Sequence, residues 1–547
     1  MQLKHIFSAT TITAALVLAG CGGDINITPT VNDNSTDSSQ VNSNNTTTTA
    51  PTPVEEVECA SYEGSSGLIA GLKVGDDCLY NTSFAGANVQ ITENVTFNAL
   101  PNGGVHKFDG ALQIGADGQT DPSDTTAFTI PAVGPTMTVE AGATLAFSSG
   151  EAIVRIARGA KIQAVGTADA PITFTSAKAF DRFDTVGNGP QYADWGGIII
   201  NGLGITDQCE DAQRDAGTCN APSEGIVSYY GGTDNADDSG ALNFVKIWYA
   251  GSGPRTGGEG DDLNSLTLNA VGSRTSVDYI HIHQGFDDGI EIFGGAVNMK
   301  RVVVTDTQDD SFDFDAGWQG AAQFLFVQHG TVTLADGSVV NMGNGGFEQD
   351  GKKGTTTATA PSSFPDIANV TVITTDATSV RDEDDSLAMK FDDGFQANYL
   401  NVLVVDPAST NGDDTACFNF STDGQNKVDG ITFNNSVIAC SNVFNGDATF
   451  TTDASEVPAA LLGTAKADWF ASSGTTEVLA SGSDVLVAGI HTRTGAPITV
   501  TPATAAELTA VNPFFEAASF IGALPDTDTS SAWYNWVNTA VTAANAD

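Results

Sequence analysis

The sequence predicts an all-β solenoid: a right-handed, single-stranded parallel β-helix with an N-terminal cap and a partly helical C-terminal cap. Three observations carry this expectation. First, Tyr279–Ile292 and Arg301–Phe314 align without gaps at a spacing of 22 residues, so that Asp287-Asp288-Gly289-Ile290-Glu291-Ile292 falls on Asp309-Asp310-Ser311-Phe312-Asp313-Phe314. Second, the chain around Met137–Phe147, Ala152–Ala164 and Ala170–Ser176 runs in short alternating pieces that end at Gly, Ala-Gly or Asp, and the body has no long 3.6-residue periodicity. Third, 59 glycines against 21 Lys+Arg in 547 residues disfavour a helix-rich protein and suit many strands joined by turns. Strands this short need neighbours above and below, which stacked rungs supply. A weaker copy of the repeat ends in Asp262–Leu268, and a later one contains Gly346–Asp350.

Residues 1–20 read as an export signal. Lys4 supplies the positive start and Ile6–Leu18 an apolar stretch too short to span a bilayer. Leu18-Ala19-Gly20-Cys21 resembles a bacterial lipobox, which makes Cys21 the expected lipid attachment site. Bacterial lipoproteins of this type carry three acyl chains, palmitate among them, and more than one chain is what stable anchoring requires. Gly22 stands where an Asp would favour inner-membrane retention, so the expected location is the outer membrane, on its periplasmic or cell-surface face. Residues 21–57, with the run Asn44–Thr49, hold too little apolar surface to fold and are expected to be a disordered tether. Its reach is roughly 30–35 Å.

Residues 58–547 are expected to form one domain, with 58–130 as the N-terminal cap region, about 131–450 as the main rungs, and about 451–547 as the last rungs and cap. Within the last part, 503–509 and 531–542 are expected to be short helices that hide the final rung's edge. Six cysteines remain after Cys21. They form three sequence-near couples, Cys59 with Cys78, Cys209 with Cys219 and Cys417 with Cys440, and an exported chain can oxidise them. No CxxC or Cys/His cluster suggests zinc.

Beyond Met137–Ser176, the stretches Asp194–Ile200, Asp237–Val245, Asp287–Gly295 and Asp309–Trp318 resemble a broad family of bacterial surface and secreted parallel β-helix proteins. Asn512–Phe515 and Tyr534–Trp536 fit the same family. The resemblance spans most of residues 100–547. It implies the fold and an envelope location, and carries over no catalytic residue.

The acidic pairs are where chemistry is expected. Asp287/Asp288 and Asp309/Asp310 lie one rung apart, so their side chains should stack about 4.8 Å apart. Stacked carboxylates repel unless turn amides, protons or a cation relieve them. Asp-Asp-Gly and Asp-Asp-Ser are good turn formers, and hard oxygen ligands in excess favour Ca²⁺; the two readings are compatible. If Ile290, Ile292, Phe312 and Phe314 point inward, Glu291, Asp313 and Asp315 point outward, with Glu348 and Lys390 extending the column across insertions. Such a row is either a solvated acidic face or a catalytic one. A Lys beside carboxylates resembles β-helix polysaccharide lyases, and paired carboxylates can act as acid and base in glycoside hydrolysis. The Asn-Thr-Asp, Gly-His-Gly and Arg-Ile-Lys set of β-helix galacturonases is absent. His281 and His283 share one face and are expected at the surface. Trp195, Trp248 and Trp318 are expected to pack on or between rungs.

A net charge of −46 excludes a nucleic-acid partner, since phosphate would be repelled throughout. No P-loop, dinucleotide fingerprint, HExxH or GxSxG occurs. The expected function is therefore non-catalytic binding or scaffolding for a glycan or an envelope partner, stiffened by calcium. The alternatives are a polysaccharide lyase or glycoside hydrolase acting at the acidic column, and an adhesin or matrix component.

Overall fold

The computed structural model describes residues 58–546, apart from 117–128, 255–261, 354–358, 360, 376, 382–385, 407–415, 422–427, 447 and 452–456. The expected leader, Cys21 and the tether lie outside the described residues. The body is an all-β parallel β-helix with few helices.

Two parallel ladders run along it. The first is made of short strands: Leu112–Ile114, Val154–Ile156, Ile198–Asn201, Leu266–Asn269, Ile290–Phe293, Phe312–Asp315 and Phe347–Gln349. Bridges from Gly345 to Leu387 and from Asp350 to Asp392 carry it on into Met389–Phe391, Ala416–Phe420 and Asn442–Phe444. The second has longer strands, Gly240–Trp248, Ser276–His283, Asn298–Thr305, Ala321–Gln328, Asp366–Ile373 and Ala397–Val405. Both ladders place Ile290 on Phe312 and Ile280 on Val302, which is the 22-residue spacing of the sequence.

Each long strand turns a corner at one residue with positive φ: Phe244, Tyr279, Arg301, Phe324, Asn369 and Asn401, stacked in one column. The left-handed conformation costs a non-glycine residue about 1–2 kcal/mol. It is held here because the ladder pairs on both sides of it are in register. The interior is then filled by inward-facing stacks, such as Ile290, Phe312 and Phe347, with the two phenylalanine rings 5.0 Å apart.

All three cysteine couples are disulfides: Cys59–Cys78, Cys209–Cys219 and Cys417–Cys440. Trp195 and Trp318 are fully buried in the core, each indole donating to a backbone carbonyl, of Trp248 and Val297. The parallel ladder reaches back to Asp77–Tyr80, so the N-terminal cap is shorter than expected, little more than the hairpin Ser61–Gly64/Gly67–Ala70.

The C-terminal helices form at Ala505–Val511 and Ala532–Ala544, each with a serine or threonine N-cap. Their place corrects the expectation of an end cap. Trp533, Trp536, Val537 and Ala540 seat on the flank of the middle rungs, against Phe244, Tyr279, Val303 and Phe324. The last rungs are closed instead by Trp469 and Phe470 of Trp469–Ser473. Burial corrects the reading of the histidines. His281 and His283 do share a face, but each is only 1 % exposed. Trp536 crosses over His281, and the Trp248 indole donates to His281 Nδ1 at 3.1 Å. Among the described residues, no helix is long and apolar enough to cross a membrane.

Candidate functional site: a buried acidic cleft on the short-strand ladder

Register builds the site. Thr267, Glu291, Asp313 and Glu348 occupy matching positions on four successive short strands. The bridges on either side of Glu348 set Lys390 opposite it, and Lys390 Nζ lies 3.0 Å from Glu348 Oε1. The column inferred from alternation is thus contiguous, its neighbours one rung apart.

A second column lies in the turns just before these strands and holds Asn264, Asp288 and Asp310. Here the turn amides serve the carboxylates. The Asp288 amide donates to Asn264 Oδ1 (3.0 Å), and the Asp310 amide donates to Asp288 Oδ1 (3.0 Å). The second of these bonds, from the Asp310 amide, offsets part of the repulsion between the stacked carboxylates. Gly345 continues the column, and a Cβ there would fall 1.9 Å from Asp310 Oδ1, so only glycine leaves that carboxylate its place.

Insertions between rungs wall the columns into a cleft of about 340 Å³, in which nine of twelve lining residues are carboxylates and two, Lys353 and Arg381, are cations. One wall is the hairpin Ala221–Pro222/Tyr229–Tyr230, which carries Glu224. The Cys209–Cys219 disulfide and Tyr230 pack it onto Ala270 and Phe293, and Ile226 rests on Ile199 and Leu263. Asn264 Nδ2 bridges the wall to the ladder, donating to Glu224 Oε2 (3.1 Å) and to Glu291. The opposite wall carries Arg381. Its guanidinium donates to Asp287 Oδ1 (2.6 Å) and, through Nε, to Asp309 Oδ2 (2.8 Å), and lies 3.5 Å from Asp262 Oδ2. Lys353 pairs with Asp350 and approaches Asp315 at 3.9 Å.

These walls overturn the expectation of an outward, solvated acidic face. Asp288, Glu291 and Asp313 are 8, 5 and 8 % exposed, and Asp287, Asp310, Asp315 and Asp350 are buried as well. Burial, and then the neighbouring carboxylates, push Asp288, Glu291, Asp310 and Asp313 well above the ordinary carboxylate range. Burial pushes Asp315 up to about 7, against the pull of Lys353. Asp287 also rises, through burial and Asp309, although Arg381 opposes it.

Three carboxylate sets bring their oxygens within 4.8 Å of one another: Asp287, Asp288 and Asp309; Asp288, Glu291 and Asp313; Glu348, Asp350 and Asp392. These are hard oxygen donors of the kind Ca²⁺ takes. Asp313 Oδ1 is buried with no hydrogen-bond partner, a costly state that a bound cation would relieve. Of the residues expected to bind metal, Asp287, Asp288 and Asp309 share one set, while Asp310 sits beside them in the turn column. Glu224, Asp262, Lys353, Arg381 and Asp392 were not anticipated from the sequence.

Residues 122–474, well over half of the chain, match the family model described as a pectate-lyase-like β-helix domain. No curated protein and no solved structure gave a match. The chain belongs to the pectate-lyase-like β-helix family.

Proposed function

We propose that this protein is a non-catalytic, calcium-loaded binding protein of the bacterial envelope, anchored to the outer membrane through Cys21, whose acidic cleft holds an anionic glycan by way of its cations. The observation that carries the reading is nine carboxylates facing two tethered cations in one cleft. Metal-free, that cleft would repel an anionic polymer; bound calcium would lower that repulsion and bridge to the polymer's carboxylates. Several carboxylates converging within 4.8 Å favour calcium over magnesium, because Ca²⁺ takes about six to eight oxygen ligands in flexible geometry whereas Mg²⁺ would keep most of its waters. Membership of a pectate-lyase-like family is compatible with polysaccharide binding.

The same membership favours a second reading, a lyase. Against it, the two ammonium groups beside the acidic columns are each ion-paired, Lys353 to Asp350 and Lys390 to Glu348, and a carboxylate partner holds the proton on the nitrogen that a lyase base would have to give up. The test is a calcium titration of the full chain that follows melting temperature with and without EDTA, then binding of polygalacturonate, alginate and a neutral glycan. Calcium is expected to raise the melting temperature and to be required for binding of the two polyuronates. Glu291→Gln and Asp313→Asn should weaken both effects while the fold survives. Release of unsaturated uronate products, lost in either variant, would overturn the non-catalytic reading in favour of the lyase. No calcium effect on stability or binding would overturn both.

A further inference from the structure

The three carboxylate sets of the cleft are not equivalent. In the first, the Arg381 guanidinium already lies between Asp287 and Asp309, with Asp262 at 3.5 Å on its far side. In the third, Lys353 pairs with Asp350 and Lys390 with Glu348. Among the described residues, no ion pair reaches Asp288, Glu291 or Asp313 of the middle set, and Asp313 Oδ1 is the buried acceptor left without a hydrogen-bond partner there.

We propose that Arg381 is a built-in cation that occupies one of the cleft's cation positions, so that the protein takes a divalent ion at the middle set and is barred from taking a second one between Asp287 and Asp309. This rests on the calcium reading above and specifies how many ions the cleft holds. The chemistry of the side chain supports it. A guanidinium cannot lose its proton, and its rigid fork of donors fits carboxylates on different rungs at once. Arg381 reaches Asp262, Asp287 and Asp309, which precede three successive short strands, and so staples three rungs from outside. The Phe286 ring, 5.8 Å from the guanidinium carbon, backs it. With that position neutralised from within, the carboxylates still needing charge are those of the middle set. If the guanidinium is withdrawn, Asp287, Asp288 and Asp309 remain as a carboxylate set whose oxygens lie within 4.8 Å of one another, hard donors of the kind calcium takes.

The experiment counts calcium ions per full chain, by equilibrium dialysis with elemental analysis, in wild type, Arg381→Gln and Arg381→Lys, each prepared in excess calcium. Arg381→Gln is expected to bind one more calcium ion than wild type, and the added ion should disappear in Arg381→Gln/Asp287→Asn. Arg381→Lys, which keeps a tethered charge, should keep the wild-type count. An unchanged count in folded Arg381→Gln would overturn the proposal. So would its failure to fold even in excess calcium, because replacement of the guanidinium by calcium is what is claimed. If wild type itself binds no calcium, it is the proposed function that fails; if wild type binds and Arg381→Gln adds nothing, only the role of Arg381 fails.

Discussion

Raising the pH of the metal-free protein from about 4 to about 8 is expected to destabilise it, the reverse of the usual behaviour of paired surface carboxylates. The cause is the cleft. Burial holds Asp288, Glu291, Asp310, Asp313 and Asp350 well above the ordinary carboxylate range, and Asp315 at about 7. The folded chain keeps these protons where the unfolded chain has released them. Stability therefore falls as pH rises from the unfolded value near 4 to the folded value. For Asp315 the rise from 3.8 to about 7 is about three units. At 1.36 kcal/mol per unit that is about 4 kcal/mol lost by neutral pH. Unfolding entropy of about 2.1 cal/mol/K per residue, over the roughly 490 residues of the folded unit, converts this to a fall of roughly 4 °C in melting temperature. The other buried acids act in the same direction, so the observed fall should be larger. The assay is thermal melting by circular dichroism in EDTA across this pH range, with Asp315→Asn as control; the variant should lose about 4 °C of the slope. Excess calcium should flatten the profile, because the ion favours the ionised carboxylates. A melting temperature that is flat or rises with pH in EDTA would refute the reasoning, since the cleft would then not be storing protons.

Two further outcomes are expected. Replacing Cys209 and Cys219 by serine opens a ten-residue loop, which costs at most about 2–3 kcal/mol, but it frees the wall that carries Glu224. Calcium affinity measured by titration should fall, and an unchanged affinity would remove that wall from the site. Trp536→Ala empties a buried indole seat and removes its hydrogen bond to the Ile280 carbonyl (3.2 Å), for about 3–5 kcal/mol. Limited proteolysis should then release the C-terminal arm while the calcium response persists; loss of both together would show that the arm and the cleft are one cooperative unit.

The fold was legible because it is periodic. A gapless spacing of 22 residues can be seen in a single sequence, and it fixed which residues stack: Glu291 on Asp313, and Asp288 on Asp310. Glu348 and Lys390 fell in line across insertions because the flanking Phe347 and Phe391 keep the inward pattern on each side. The three disulfides were legible for a similar reason, since the partners of each lie within 23 residues. Alternation, however, says only which side of a strand a residue occupies. It does not say what covers that side. Glu291 and Asp313 therefore read as solvated, and His281 and His283 as surface residues, when other parts of the chain bury all four. Part of the cover over His281 comes from far along the chain, from the indole of Trp536, which also donates to the Ile280 carbonyl 256 residues before it.

What covers the site is aperiodic, and residue spacing does not locate it. Arg381 reaches Asp309 across 72 residues, and Glu224 meets Asn264 across 40. No repeat predicts either contact, because each depends on how an insertion folds back over the ladder. One signal was nevertheless present. The chain has 21 Lys+Arg against 67 Asp+Glu, so a cation is a scarce residue in it. Lys353, Arg381 and Lys390 all fall within the two rungs that follow the acidic pairs. In a chain so poor in positive charge, cations collected just beyond stacked carboxylates are placed where the repulsion has to be answered. A solenoid of this kind is thus better read by two rules together: periodicity locates the stacked acids, and the rare opposite charges downstream mark which insertions fold back to cover them.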